Sequence, residues 1–144
     1  MLDYLPANAP FFFVTIAFCA YLCGCFNGAV IVSKYILRDD IRTHGSGNAG
    51  LTNFYRTFGG FLTLVVILCD VLKAVIAIRI GIWFAGNFDP RIMPDFPLTA
   101  EQAAHYLNLF KYWAGMWCLL GHMFPCMFHF KGGKGILSGG TIAI

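Results

Sequence analysis

The chain has 144 residues, 58% of them hydrophobic and 12% charged, with a formal net charge of +3 and a mean hydropathy of +0.69. An ordinary soluble domain carries about twice that charged fraction, so this composition leaves too little polar surface to cover the chain in water. It points instead to an all-α, polytopic membrane helix bundle, and the few scattered basic residues form no nucleic-acid footprint.

In chain order, the first apolar run predicts a helix over about 11–36, with Asn27 its main polar interruption. The run is long enough for a bilayer core, which takes about 20 apolar residues, and exceeds the roughly 7–15 residues of a signal-peptide core. Its leader also lacks Lys or Arg and carries Asp3. Lys34, Arg38, Arg42 and Arg56 follow, which places this loop in the cytoplasm and the N-terminus outside. A second helix is predicted over 60–84. The segment after it holds Pro90, Pro94, Pro97, Asp89, Asp95 and Glu101, as an external loop should. A third helix is predicted over 106–129, ending at a basic and therefore cytoplasmic turn. Residues 136–144 begin a fourth, too short to cross. The expectation is one integral membrane domain over 1–144 with three full spans and the start of another, part of a longer protein.

Asp70 and Lys73 fall near the middle of the second helix, three residues apart and on one face. Ionisable groups at that depth pair, face the bundle interior and often serve function; a structural ion pair and a functional pair are both open readings. His122 stands one turn before Pro125. The six cysteines lie mostly in apolar runs and contain no Cys-x-x-Cys pair, which suits packing thiols better than a disulfide or zinc site.

Two glycine-bearing stretches carry the polar chemistry. The first is Gly45-Ser46-Gly47-Asn48-Ala49-Gly50-Leu51-Thr52-Asn53-Phe54-Tyr55-Arg56. Its glycines permit a concavity of backbone N–H groups; Ser46, Asn48, Thr52 and Asn53 add neutral donors, and Arg56 adds a fork that fits phosphate oxygens. The second is Lys131-Gly132-Gly133-Lys134-Gly135, a basic turn able to cradle phosphate. Neither is a nucleotide motif. Gly135 follows Lys134 where a Walker A loop needs Ser or Thr. The G-x-G-x-x-G over 45–50 lies between membrane runs instead of in a βαβ unit.

Together these residues resemble the bacterial acyl-phosphate:glycerol-3-phosphate acyltransferases, the PlsY family. Residues 45–56 look like its first signature, and Gly121-His122-Met123-Phe124-Pro125-Cys126-Met127-Phe128-His129-Phe130 with the basic turn looks like its second. Asp70-Val71-Leu72-Lys73 matches a feature between them. Ala49 and Leu51 depart from the usual Pro and Ala, 24–27 departs from a Gly-Ser-Ile-Pro-like end of the first helix, and the third signature would lie beyond Ile144.

The resemblance implies a seven-helix enzyme of the bacterial inner membrane with its signature loops cytoplasmic. That enzyme moves an acyl group from acyl-phosphate to the 1-hydroxyl of glycerol 3-phosphate, giving lysophosphatidic acid. Ser46 and Arg56 match the essential Ser and Arg of its first signature, and with Lys134, taken for its charge, they are the candidate catalytic residues. The candidate substrate-binding residues are Gly45, Gly47, Asn48, Thr52, Asn53, His122, Lys131, Gly132, Gly133 and Gly135, of which the resemblance implies that Gly132, Gly133 and Gly135 hold glycerol 3-phosphate. The expected partners are the two substrates and membrane lipid, with no nucleic acid; nothing identifies a protein partner. The sequence carries no metal cluster, so no cofactor is implied. It also lacks the His-x-x-x-x-Asp of acyl-CoA-dependent glycerolipid acyltransferases. The alternative is a non-enzymatic membrane protein that binds or transports phosphate or lipid head groups, or an inactive truncated paralogue.

Overall fold

The structure, a computed structural model, describes residues 9–87 and 99–143. These form an all-helical bundle: α1 (Ala9–Cys25), α2 (Gly28–Ile31, continued by a π turn over Val32–Ile36), α3 (Leu51–Phe58), α4 (Leu62–Asn87), α5 (Ala100–Met123) and α6 (Ile136–Ala143). Among the described residues there are no strands. The proline-rich segment expected outside the membrane lies largely beyond the described residues.

The single helix expected over 11–36 is two helices, bent by 40° between them. Asn27 makes the break. Its Oδ1 accepts from Val30 N at 3.1 Å, which caps α2, while its Nδ2 donates to the Ala49 carbonyl at 3.0 Å. A wholly buried amide needs partners for both of its ends, and an unbroken helix would give it neither.

α5 also differs from the expected span of 106–129. It starts earlier because Thr99 and Gln102 form a reciprocal capping box, Gln102 N donating to Thr99 Oγ1 at 3.3 Å and Thr99 N to Gln102 Oε1 at 2.9 Å. It stops at Met123 because Pro125 disfavours helical backbone at the residue before it.

α1, α4 and α5 pack together around Ile16, Ala20, Ala77, Phe110, Ala114 and Cys118. Phe13 stacks on Phe110 with ring centroids 5.0 Å apart, and Trp113 Nε1 donates to the Phe13 carbonyl at 2.9 Å. Where α1 crosses α5, Gly24 meets Gly121. A Cβ on Gly24 would overlap the Cys118 carbonyl, so only glycine lets the two backbones come this close. A second core of Val30, Val32, Ile41, Phe54, Val66 and Phe128 lies beneath the two glycine-bearing loops and fixes them to one end of the bundle.

The outward faces are apolar. Leu64, Leu68, Leu72 and Ile76 form an exposed stripe at four-residue spacing along α4, and Phe11, Val14 and Phe18, spaced three and four, form another on α1. Taken singly, no helix among the described residues is both long and apolar enough to cross a membrane; α1 and α2, taken as a bent pair, meet the length and composition required. In α4 the obstacle is composition, since every 18-residue stretch of it contains Asp70, Lys73 and Arg79.

Candidate functional site

The first loop is shaped from inside by Asn53. Expected as an outward donor, this residue is instead buried and fully engaged. Its Oδ1 accepts from Ser46 N at 3.2 Å, and its Nδ2 donates to the carbonyls of Ile41, His44 and Asn48 at 3.2, 3.0 and 3.1 Å. One amide thus gathers four backbone groups, and α3 begins immediately beyond them. Thr52 and Arg56, one turn apart on α3, are exposed together with Gly45, Ser46 and Gly47; Asn48 is half-buried.

The expected cradle of glycine N–H groups is smaller than the sequence suggests. Gly47 N donates to the His44 carbonyl, Gly50 N to Asn48, Gly132 N to Met123 and Gly133 N to His122, at 2.9, 2.9, 3.1 and 3.1 Å. These bonds spend the amides within the protein. The N–H groups of Lys134 and Gly135, just before α6, have no partner among the described residues. Most of the glycines therefore serve close packing. Gly135, at φ +72°, also makes a turn that a side chain would strain.

The second loop joins the first at two seams. Arg42 clamps Asp40 with a fork, Nε donating to Oδ1 at 2.9 Å and Nη2 to Oδ2 at 2.6 Å, and its Nη1 reaches across to the Phe128 carbonyl at 2.9 Å. The guanidinium also lies over the Phe128 ring, 5.8 Å from its centre. The second seam is Gly133, buried between the loops. A Cβ there would overlap His122 Nε2 and stand 2.6 Å from the Ala49 carbonyl oxygen. Ala49 is itself held by Asn27, so α2, the first loop, the second loop and α5 meet at one place.

Electrostatics at the rim follow from this clamp. Hydrogen bonds from Arg42 hold the Asp40 carboxyl down at about 2, and the same pairing raises the Arg42 guanidinium. Asp39 is likewise lowered, chiefly by its hydrogen bond with His44. Because the folded-state value of Asp40 lies below the ordinary 3.8, the stabilisation is fully present above about pH 4 and fades as pH falls towards 2. The pair is partly exposed, so the effect is about 1 kcal/mol or less. Comparing the chain with Arg42→Gln by unfolding at stepped pH should give a stability difference constant near neutrality that shrinks towards pH 2 to the part owed to the Phe128 contacts.

Beneath the seam lies a buried ionic group. Asp70, Lys73 and His122 are at most 4% exposed. Lys73 Nζ donates to Asp70 Oδ1 at 2.7 Å and to the Phe26 carbonyl at 2.9 Å, and it lies within hydrogen-bond reach of His122 Nδ1. The pairing of Asp70 with Lys73 expected from their spacing is therefore present, and it extends to His122 from another helix. Arg56, Lys131 and Lys134 are the opposite case. All three are exposed, and their side chains have no hydrogen bond or ion pair among the described residues.

Local sequence gives Asn27, Asp40 and Arg42 no role in the site; the fold does. A lone amide before Gly28 within an apolar run was the available signal for Asn27. Nothing local in the sequence pairs Arg42 with Phe128. Among the described residues no group of His, Cys, Asp or Glu is arranged to hold a metal ion.

Among the described residues, fold and site together define a helical bundle with two interlocked glycine-bearing loops at one end, rimmed by exposed cations. Residues 14–144 match the family model described as glycerol-3-phosphate acyltransferase, and the chain belongs to that family. A glycerol-3-phosphate acyltransferase of Thermoanaerobacter pseudethanolicus is 40% identical over 123 residues, covering 85% of this chain and 52% of the relative. One from Proteus mirabilis is 35% identical over 128 residues, covering 86% of this chain and 48% of the relative. The chain thus spans about half the length of the curated relatives it matches. The crystal structure of PlsY (YgiH), an integral membrane glycerol 3-phosphate acyltransferase, is similar in its glycerol 3-phosphate form. It superposes with a TM-score of 0.66 at 28% identity, covering 90% of this chain and 55% of that one. Its lysophosphatidic acid form gives 0.62 at 27% identity, covering 91% and 55%.

Proposed function

We propose that this chain belongs to a membrane acyltransferase that moves an acyl group from acyl-phosphate to the 1-hydroxyl of glycerol 3-phosphate, releasing lysophosphatidic acid and inorganic phosphate. The observation that carries the reading is the pair of interlocked loops whose rim cations, Arg56 and Lys134, have no side-chain partner among the described residues. Exposed cations beside two docked loops suit anionic ligands, and both substrates are phosphorylated.

In this reading Ser46 and Asn48 position acyl-phosphate, while Gly132, Gly133 and Gly135 shape the seat for glycerol 3-phosphate beside Lys131, with Thr52 at the rim. The 1-hydroxyl oxygen attacks the acyl carbonyl carbon. As that C–O bond forms, the bond from the carbonyl carbon to the phosphate oxygen breaks, and the hydroxyl proton leaves with the phosphate. Arg56 and Lys134 offset the charge that develops on the carbonyl oxygen and the departing phosphate. Acyl-phosphate is already activated, so holding the two reactants in contact supplies much of the remaining acceleration.

The apolar stripes on α1 and α4 suit acyl chains of a bilayer, and the buried pairing of Asp70 with Lys73 keeps two of the three charges of α4 away from them, leaving Arg79 exposed. Lys34, Arg38, Arg42, Arg56, Lys131 and Lys134 share the loop end, which by the positive-inside rule is cytoplasmic in a bacterial inner membrane.

Membranes carrying the chain, given acyl-phosphate and labelled glycerol 3-phosphate, should form labelled lysophosphatidic acid. Arg56→Ala should lower kcat by about 10²–10³, the usual effect of removing one charge stabiliser. Labelled phosphate crossing the membrane with no acyl transfer would overturn the reading.

A further inference from the structure

His122 is deeply buried, and its two ring nitrogens face different surroundings. Nδ1 points at Lys73 Nζ, and Nε2 points at the Gly133 seam, where it has no hydrogen-bond partner among the described residues. The Lys73 amine is surrounded by the Phe26 carbonyl, an Asp70 carboxylate oxygen and His122 Nδ1. An ammonium has three donors and no acceptor, so these neighbours match its three hydrogens. The match requires a lone pair, not a proton, on His122 Nδ1. The competing arrangement, in which Nδ1–H donates to Asp70, fails on distance: Nδ1 stands 3.7 Å from Asp70 Oδ1. A neutral imidazole with a bare Nδ1 carries its proton on Nε2.

We propose that Lys73, anchored by Asp70, is a positioning residue that locks His122 in its Nε2–H tautomer, so that the imidazole offers a hydrogen-bond donor to the seam between Gly133 and Ala49 and does not serve as a general base. This rests on the proposed acyl transfer for its catalytic meaning, but the tautomer itself does not. It also accounts for a Lys–Asp pair buried in the helix that lies behind the loops. The pair acts on the site through His122 and touches no substrate. With His122 unable to accept a proton at the seam, the hydroxyl proton of the acceptor substrate is left to the departing phosphate.

The test is ¹⁵N NMR of the histidine rings in the chain in lipid bilayers, with the His122 signals identified by their loss in His122→Gln. Near neutral pH, His122 should show a protonated Nε2 and an unprotonated Nδ1. In Lys73→Met the ring should lose that single tautomer. If Lys73→Met does not fold, the wild-type spectrum still decides the tautomer. His122→Gln places an amide donor near the position of Nε2, so acyl transfer should fall less than about tenfold, mainly through KM. An Nδ1–H tautomer, a doubly protonated ring, or a kcat loss of 10² or more in His122→Gln, as loss of a general base would give, would overturn the proposal. Absence of acyl transfer with the Nε2–H tautomer present would overturn the proposed function and leave the positioning of His122 standing.

Discussion

Gly133→Ala is expected to lower kcat/KM for glycerol 3-phosphate by about 5- to 150-fold while leaving the helical bundle assembled. The added methyl would overlap His122 Nε2 and stand 2.6 Å from the Ala49 carbonyl. Neither neighbour yields easily. The imidazole is held through Nδ1 by Lys73, and the carbonyl is backbone bonded to Asn27. Overpacking of this kind costs about 1–3 kcal/mol, which converts to that range. Relief comes most readily by lifting the second loop, because Lys131 and Lys134 beside it are exposed. Steady-state kinetics should therefore show the loss mainly in KM for glycerol 3-phosphate, with helical circular dichroism unchanged. Gly140→Ala is the control, since a Cβ there meets nothing within 4 Å.

Breaking the buried ion pair should have the largest effect on stability. Lys73→Met leaves the Asp70 carboxylate in an apolar interior without its ammonium, at a cost of about 3–5 kcal/mol. The double variant Asp70→Asn with Lys73→Met removes both charges and should recover a substantial part of that loss. Thermal unfolding in one detergent, followed for the two single variants and the double, measures the coupling. If the losses simply add, Asp70 and Lys73 do not act as a pair.

The sequence made the apolar runs, the pairing of Asp70 with Lys73 and the two glycine stretches readable, because each is written in local spacing. Three residues separate Asp70 from Lys73, and that spacing alone puts them on one face of a helix. His122 lies 49 positions from Lys73, and only the packing of α4 on α5 brings their nitrogens together. The role of Asn53 was hidden for a related reason. An amide can face solvent or satisfy backbone, and only the path of residues 41–48 around it settles which. The glycines misled in one respect. Glycine-rich sequence suggests free N–H groups, whereas Gly47, Gly50, Gly132 and Gly133 all donate to nearby carbonyls. The early start of α5 was in principle legible from Thr99 and Gln102 at capping-box spacing. Which cations stay unpaired was not, because pairing depends on neighbours such as Asp40, which takes Arg42 and leaves Arg56 exposed.

The most direct measurement places single cysteines at Ser46 and at Lys134, each in a background whose six native cysteines have been replaced, and follows their labelling by a membrane-impermeant thiol reagent in oriented vesicles. If the two loops face one site, both positions react from the same face, acyl-phosphate slows labelling at position 46 and glycerol 3-phosphate slows labelling at position 134. Labelling from opposite faces, or labelling that neither substrate slows, would contradict it.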